Sequence, residues 1–506
     1  MEKALETYKK IRNQMKAYQF AFGIISWDSS TEAPKGSFEN RSKAIGTLSE
    51  MSYRLGTSDE YMDAIDTLYN NVEKLDKVLA HEIVEIKKST EKQKKIPVEE
   101  YVEYRTLMGS SQEIWADAKA KNDFNLFKPT LKKIVDYKRK QIKYQETDKL
   151  KGYDVLLDDY EPGFTTKDYD KFFDELKEKL VPFFKEINKC ELQYNNSFVG
   201  KEFPREKQIE FCEYLQDVLC FNKEYGLMKE SVHPFTMGIN TKDVRFTNNY
   251  HEDDIVSAIF SAIHELGHAV YNQQNDPALD ETFLSGGASN GIHESQSRLY
   301  ENMIGRSREF WNVHFPKLKE IFPKQFKGVT ATDFYKHVNR SFASFIRIEA
   351  DELSYPLHIM LRYDLEKGLM NGEYEVDNID KIWEDKFKEY FGLKVTKASD
   401  GILQDMHWGG GLIGYFPTYA LGSAYAAQIY HAMAKDVNIK EELKTGKTTL
   451  INKWLKEKVH IHGRSLYPKE IIKYATGENF NSKYFIKYLQ KKYEKLYQEF
   501  FRVNKK

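Results

Sequence analysis

The sequence predicts a mainly α-helical protein, in which a large helical body carries a very small β element. Two observations lead to this prediction. Apolar residues recur at helical spacing, with Lys and Glu between them, along most of the chain. Strand-like alternation, in contrast, is scarce. The clearest helical patterns lie at residues 169–187, 334–345 and 484–501.

The best strand candidate is residues 243–247, where side-chain character alternates between turn-prone flanks at 238–240 and 248–249. A strand here would lie beside the metal-binding helix predicted below, and its exposed edge could pair with an extended peptide. The chain shows no internal repeat and no low-complexity linker. We therefore expect a single unit over residues 1–506.

Composition excludes several classes of protein. Hydrophobic residues make up 41% of the 506 residues and aromatic residues 14%, which excludes wholesale disorder. The 76 Lys and Arg residues balance 77 Asp and Glu residues, and the net charge of -1 disfavours nucleic-acid binding. The three cysteines form no Cys-x-x-Cys pair, which favours a reducing compartment. No segment resembles a signal peptide or a membrane span, so we expect a cytoplasmic protein without membrane partners.

The most informative motif is His264-Glu265-Leu266-Gly267-His268, inside an apolar stretch. Asp253 and Asp254 are N-cap candidates and no proline occurs before Pro277, so a long buried helix is expected. Residues i and i+4 share a helix face, so the two histidines can present ring nitrogens to one metal ion. Glu265 is then placed to take a proton from water that the metal activates. The alternative is a helix whose histidines bind no metal and are either exposed to solvent or hydrogen-bonded within the core.

A catalytic zinc site also needs a third protein ligand and an open position. Glu294, in His293-Glu294-Ser295-Gln296, suits this role and lies on a second helical segment after the turn-prone Ser285-Gly286-Gly287. The alternative is a carboxylate on the surface. Zinc is the expected metal, although histidine and carboxylate ligands also accommodate cobalt or manganese.

Two segments interrupt the helical pattern. Residues 26–36 form a turn-rich passage between two helical segments. Residues 401–414 contain three consecutive glycines, but no Gly-Lys-Ser/Thr follows them, which disfavours a phosphate-binding loop. We expect a mobile or tightly turned loop that carries His407 and the tyrosines of residues 415–419 towards the site.

Six motifs occur in one order along the chain, and Trp27-Asp28 with Pro34 and Gly36 precedes them. The six are His233-Pro234-Phe235, Asp243-x-Arg245-x-Thr247, His264 to His268, His293-Glu294-Ser295-Gln296, Ile346-Arg347-x-x-Ala350-Asp351, and Gly401-x-x-Gln404-Asp405-x-His407-Trp408. Together they resemble the carboxypeptidase Taq family of metallopeptidases. The likeness covers residues 233–408 directly and extends to the N-terminal region.

This resemblance implies a helical body with a long central groove, a metal on its floor and, frequently, a homodimer. The N-terminal helical part would flank or cover the groove. The implied activity removes single C-terminal residues from peptides with a free carboxylate. The implied roles are metal binding for His264, His268 and Glu294, catalysis for Glu265, limitation of substrate length for the motifs of His233 and Arg245, and substrate handling for Arg347, Asp351, Gln404 and Asp405.

The roles of individual substrate-binding residues have physical alternatives. Arg347 could clamp the terminal carboxylate, because a guanidinium fork binds both oxygens, and Arg245 is the reserve candidate. Its alternative is an i,i+4 helix pair with Asp351, which could also orient the arginine. His407, Tyr415 or Tyr419 could donate to the anionic tetrahedral intermediate. Packing is the alternative for each tyrosine.

The sequence thus predicts a metal-dependent carboxypeptidase in which Glu265 acts as general base and then as general acid. The nearest alternative is a zinc oligopeptidase or dipeptidyl carboxypeptidase, which would release dipeptides or internal fragments. A catalytically silent helical scaffold that only binds peptides is a second alternative. The size of the released products distinguishes the first alternative from a carboxypeptidase. A measurement of turnover tests the second alternative.

Overall fold

The computed structural model describes residues 1–498. Within this range the chain forms twenty α-helices and one three-stranded sheet, which confirms the predicted mainly α fold with a very small β element. No helix within residues 1–498 combines the length and the hydrophobicity of a membrane span. The chain divides into two compact units, each built from three segments of sequence.

The first unit contains residues 1–94, 199–288 and 445–466. Its N-terminal helices share an apolar core that includes Tyr8, Ile65 and Ile83. Its elements are α1 (Glu2–Thr31), α2 (Phe38–Gly56), α3 (Asp59–Tyr69), α4 (Lys77–Lys94), α9 (Arg205–Val218), β1 (Gly226–Glu230), β2 (Thr236–Asn240), β3 (Asp243–Asn248), α10 (Ile255–Gln273) and α18 (Thr449–Lys458), with helices numbered along the whole chain.

The second unit contains residues 95–198, 289–444 and the chain from Tyr467 on. A π-helical turn at Leu299–Gly305 directly follows its helix α11, which spans Asn290–Arg298. Its helices are α5 (Val98–Ala120), α6 (Phe124–Gln145), α7 (Asp154–Leu157), α8 (Thr166–Ile187), α11 (Asn290–Arg298), α12 (Arg308–Ile321), α13 (Ala331–Asn339), α14 (Tyr355–Asn371), α15 (Ile379–Phe391), α16 (Pro417–Asp436), α17 (Ile439–Lys444), α19 (Pro468–Thr476) and α20 (Lys483–Leu496).

The predicted strand at residues 243–247 is β3, and its burial alternates over residues 243–246 but not at Thr247, which is also buried. Val244 and Phe246 are buried, whereas Asp243 and Arg245 are half-buried. The prediction of an exposed β3 edge was wrong. Strand β1 pairs with β3 in parallel and β2 pairs with it antiparallel, so β3 is the central strand. Both of its edges are therefore already hydrogen-bonded within the sheet.

The predicted break at residues 26–36 is shorter than expected, because α1 continues through Thr31. Hydroxyl groups in its last turns form hydrogen bonds with the backbone of the same helix. The hydroxyls of Ser29, Ser30 and Thr31 donate to carbonyls four residues earlier. The predicted loop at residues 401–414 is confirmed, since it contains neither helix nor strand.

The helical pattern at residues 334–345 was only partly correct, since α13 ends at Asn339. The following segment is held by side chains: Phe342 N donates to the carboxylate of Asp351, and Ile346 N donates to Ser344 Oγ. These bonds offer the backbone an alternative to the helix. The prediction for residues 484–501 agrees with α20 as far as Leu496, and residues 499–501 lie outside the described range.

Candidate metal centre

Helix α10 begins where the sequence predicted. The carboxylate of Asp254 accepts hydrogen bonds from the backbone of Val256 and Ser257, at 3.0 and 3.1 Å, and so caps the helix. The helix is largely buried through its apolar residues. His264 and His268 consequently share one face, and their ring centroids lie 5.0 Å apart.

Glu265 lies between these histidines and is buried, with 7% of its surface exposed. Its Oε2 accepts a hydrogen bond from the Thr236 hydroxyl at 2.6 Å, and the same hydroxyl lies 3.1 Å from the Glu265 carbonyl oxygen. Strand β2 thus fixes the direction of the carboxylate. Sequence reasoning missed Thr236, because no local spacing connects it to a glutamate 29 residues later.

Glu294 lies on α11, whose first turn is tightly held. Ser289 caps the helix by accepting from Ile292 N, and buried Glu161 accepts from Gly291 N at 2.8 Å. Glu294 is itself buried, at 7% exposure, which excludes the alternative of a surface carboxylate. Its Oε1 accepts from Arg298 Nε at 2.7 Å, one helical turn later.

One ring nitrogen from each of His264 and His268 and one carboxylate oxygen of Glu294 all lie within 4.8 Å of one another. Bonds of about 2.1 Å to one tetrahedral ion place ligand atoms roughly 3.5 Å apart, so a small adjustment brings these three atoms to a common metal. Two imidazoles and a carboxylate are also a donor set that divalent metals favour. The residues present therefore fit a divalent metal.

Glycine at position 422 allows α16 to pack closely against Glu294. A Cβ at this position would lie 2.7 Å from both Cβ and Cγ of Glu294, closer than real contacts allow. We expect Gly422→Ala to displace Glu294 and to weaken metal binding by about 10- to 100-fold, the range for changes that disturb a ligand's support. Competition with a chelator measures this affinity. Gly109→Ala in α5, where nothing lies within 4 Å of an added Cβ, is the control and should bind metal like the wild type.

Arg347 does not pair with Asp351, which excludes the alternative of an i,i+4 helix pair. Arg347 lies in a short 3-10 turn, so α-helical spacing does not apply. Its Nε and Nη2 instead donate to Asp405 Oδ1 at 3.0 and 2.9 Å. Asp351 accepts from the backbone of its neighbours and from the hydroxyls of Ser354 and Tyr493.

Asp405 holds two buried arginines at once. Its second oxygen accepts from Arg362 Nε at 2.7 Å, and Arg362 is fully buried. Burial alone would raise the pKa of Asp405, but the charges of Arg362 and Arg347 lower it well below its usual range. The carboxylate therefore stays ionised and orients Arg347. Sequence reasoning missed Arg362, which lies outside all six motifs.

Residues 401–414 are held by hydrogen bonds to buried side chains and to neighbouring backbone. Gln404 accepts from Arg347 N and donates to the carbonyls of Phe345 and Asp400. Buried Glu366, on α14, accepts from Trp408 Nε1 at 2.7 Å and from Gly414 N at 2.9 Å. Glu366 thereby holds the chain on both sides of the three glycines, as a tightly turned loop requires.

His407 lies among aromatic residues of this loop and of α16. Its Nε2 is 3.2 Å from the Tyr419 hydroxyl, and its ring lies 5.5 Å from that of Tyr415. Burial, together with the charge of Arg347, lowers the pKa of His407 to about 4. Burial raises the pKa of both tyrosines. At neutral pH the histidine is therefore neutral and both phenols keep their protons.

In the first unit, three of the segments highlighted by the sequence meet around Arg245. Asp243 accepts from Arg245 Nε and Nη2 at 2.7 and 2.8 Å. The guanidinium lies 5.7 Å from the ring centroid of Trp27, which packs edge-on against Phe235. His233 is exposed, and its carbonyl accepts from Ser231. Arg245 is thus held in place by an ion pair of its own.

Comparison with known proteins assigns this architecture to one family. The model of the carboxypeptidase Taq (M32) metallopeptidases matches residues 7–493. Carboxypeptidase 1 of Bacillus subtilis is 43% identical over 501 residues, which cover 97% of this chain and 99% of the relative. Thermostable carboxypeptidase 1 of Pyrococcus furiosus is 35% identical over 96% of this chain and 98% of its own. The crystal structure of the M32 carboxypeptidase from Deinococcus radiodurans covers 98% of this chain and 99% of its own, with a TM-score of 0.93 and 32% identity. With matches of this extent, the chain belongs to the carboxypeptidase Taq (M32) family of metallopeptidases.

Proposed function

We propose that this metal-dependent carboxypeptidase releases single C-terminal amino acids from peptides, with Glu265 as general base and then general acid. The observation that carries the proposal is the grouping of the donor atoms of His264, His268 and Glu294, with buried Glu265 adjacent to His264 in the chain and outside that donor set. Metal-dependent peptide hydrolysis needs this combination of metal donors and a separate base.

A bound divalent metal would polarise the scissile carbonyl and lower the pKa of water. Glu265 takes the proton that the attacking water loses and returns it to the leaving amine. The hydroxyl of Thr236 supports this role, because it holds one carboxylate oxygen and so fixes the direction of the other. We propose zinc as the metal, since two histidines and one carboxylate form a common catalytic zinc set.

His407, Tyr415 and Tyr419 are the proposed donors to the anionic tetrahedral intermediate. Developing negative charge is stabilised by N–H and O–H donors that are already oriented. The raised pKa values of Tyr415 and Tyr419 support this role, because each phenol keeps the proton that it would donate. His407 approaches Tyr419 with Nε2 and would orient it.

Arg347 is the proposed clamp for the terminal carboxylate. Asp405 and Tyr355 occupy three of its five N–H groups, and the other two have no hydrogen-bond partner within residues 1–498. Two N–H groups are sufficient for both oxygens of a carboxylate. We propose that Gln404 and Asp405 act indirectly, by holding the backbone and the guanidinium of this arginine. Asp351 is proposed to act through the neighbouring chain, because its carboxylate accepts from the backbone of Phe342, Leu353 and Ser354. His233 and Arg245 are proposed to limit peptide length.

We expect Glu294→Ala to lose its metal far more readily than the wild type, with a metal affinity at least about tenfold lower. Substitution of a residue that only supports a metal ligand already lowers the affinity by that factor. Chelator titration with metal analysis measures the loss. Glu301 is unsuitable as a control, because it shares Arg298 with Glu294. Glu309→Ala, which removes a half-buried carboxylate paired with Lys440, is better matched. Equal metal retention in the two variants would refute Glu294 as the third ligand.

The reaction itself is tested by mass spectrometry of a peptide mixture after incubation with the metal-loaded protein. The expected products are free amino acids and peptides shortened by one residue at the C-terminus. Dipeptides or internal fragments would instead support a dipeptidyl carboxypeptidase or an oligopeptidase. Absence of turnover with metal bound would support the binding scaffold.

We further propose that both compact units belong to one catalytic unit and that the protein is a cytoplasmic homodimer. Support for the first statement comes from the family model, which spans segments of both units. Support for a reducing location comes from the three cysteines, none of which forms a disulfide. Light scattering on the purified protein and fractionation of the cells that produce it test the other two statements.

A further inference from the structure

In the second unit, Tyr355 lies between two arginines. The Arg298 guanidinium stacks on the Tyr355 ring, with 4.3 Å between its Cζ and the ring centroid. The Tyr355 hydroxyl accepts a hydrogen bond from Arg347 Nη1 at 3.0 Å. Tyr355 is also buried at the start of α14, so its ring has little freedom to move. The two arginines are therefore held at a fixed spacing by one side chain.

Arg298 is anchored on its other sides by carboxylates. Its Nε donates to Glu294 Oε1 at 2.7 Å, and its Nη1 donates to Glu301 Oε2 at 3.2 Å. Arg306 in turn holds the other oxygen of Glu301 at 3.1 Å. The side chains of Glu294, Arg298 and Glu301 are no more than 14% exposed, so water does little to loosen these ion pairs.

A continuous series of contacts thus joins Glu294 to Arg347 through Arg298 and Tyr355. On the proposed function, one end of this series is a metal ligand and the other binds the terminal carboxylate. An extended peptide lengthens by about 3.3 to 3.6 Å for each residue. Release of one residue rather than two therefore requires the carboxylate-binding group to stay within roughly half that step of its position relative to the metal. Arginine has a long and flexible side chain, so such precision needs external supports.

We propose that Arg298 and Tyr355 are positioning residues that set the distance between the metal ligand Glu294 and Arg347, and that this distance selects release of single residues. The inference depends on the proposed function of the same site. Asp405 fixes the rotation of the Arg347 guanidinium through one edge. Tyr355 supports this arginine through its hydroxyl and connects it, through Arg298, to Glu294.

Tyr355→Phe is the most direct test, because it removes only the hydroxyl that holds Arg347 and keeps the ring under Arg298. One hydrogen bond to a charged group corresponds to roughly a tenfold or larger effect. We expect the preference for a free carboxylate over an amide to fall about tenfold. The ratio of dipeptide to single-residue products should rise, while metal affinity stays at the wild-type value. Tyr363→Phe, which removes a different hydroxyl of α14 that donates to Asp170, should leave both ratios unchanged.

Arg298→Lys tests the other end, because lysine keeps the charge but cannot bridge Glu294, Glu301 and the ring with one planar group. We expect chelator competition to show about 10- to 100-fold weaker metal binding, together with an increase in dipeptide products. Wild-type protein that released no single residues would refute the proposed function itself. Wild-type protein that releases single residues, combined with unchanged product ratios in Tyr355→Phe or unchanged metal affinity in Arg298→Lys, would overturn the positioning role.

Discussion

Glu265→Gln is expected to bind metal like the wild type and to lower kcat by about 10²- to 10⁴-fold, the usual contribution of a general base. Glutamine keeps the shape of the side chain, and its amide oxygen can still accept from the Thr236 hydroxyl. The variant loses only the carboxylate that is proposed to take the proton from water. Metal analysis and initial rates on the same preparation give both quantities.

Two further variants make this test specific. Glu252→Gln changes an exposed glutamate just before α10 and should retain wild-type activity. Thr236→Val removes the hydroxyl donor but keeps the Glu265 carboxylate, so we expect a smaller loss of kcat than in Glu265→Gln. A metal-loaded Glu265→Gln protein with near-normal turnover would show that another group is the base.

The sequence predicts those parts of the site that depend on local order. The i,i+4 spacing of His264 and His268 is sufficient to place them on one face, because the Asp254 cap and the apolar residues determine the helix. Alternation similarly identified β3. Its neighbours β1 and β2 were missed, since both are short and pairing is decided by tertiary contacts rather than by the strand itself.

The supporting residues could not be predicted, because they come from distant parts of the chain. Thr236 reaches Glu265 across 29 residues, and Asp405 reaches Arg347 across 58. Local spacing even pointed to the wrong partner, since Asp351 is four residues from Arg347 but the backbone there is not α-helical. Spacing rules apply within an element, whereas ion pairs between elements follow from how those elements pack.

Arg347→Ala is expected to lower kcat/KM on peptides with a free C-terminal carboxylate by roughly 10- to 150-fold. A charge-assisted hydrogen bond contributes about 1.5 to 3 kcal/mol, which converts to that factor. Amidation of the peptide C-terminus should cost the wild type a similar factor, because it removes the group that Arg347 is proposed to bind. The two losses should not add: the variant should be slow on the acid and show little further penalty on the amide.

The same variant removes one of the two arginines that compensate the buried charge of Asp405, so it could also lose stability through that carboxylate. The ratio of acid to amide rates within one preparation is independent of the folded fraction, and it is therefore the decisive measurement. Arg347→Lys keeps a positive charge but not the two-pronged geometry, and should fall between the wild type and Arg347→Ala. If Arg347→Ala discriminates acid from amide as sharply as the wild type, Arg347 is only a structural partner of Asp405. Arg245→Ala is then the variant expected to lose discrimination, and if it does not, selectivity for the C-terminus does not arise from either arginine.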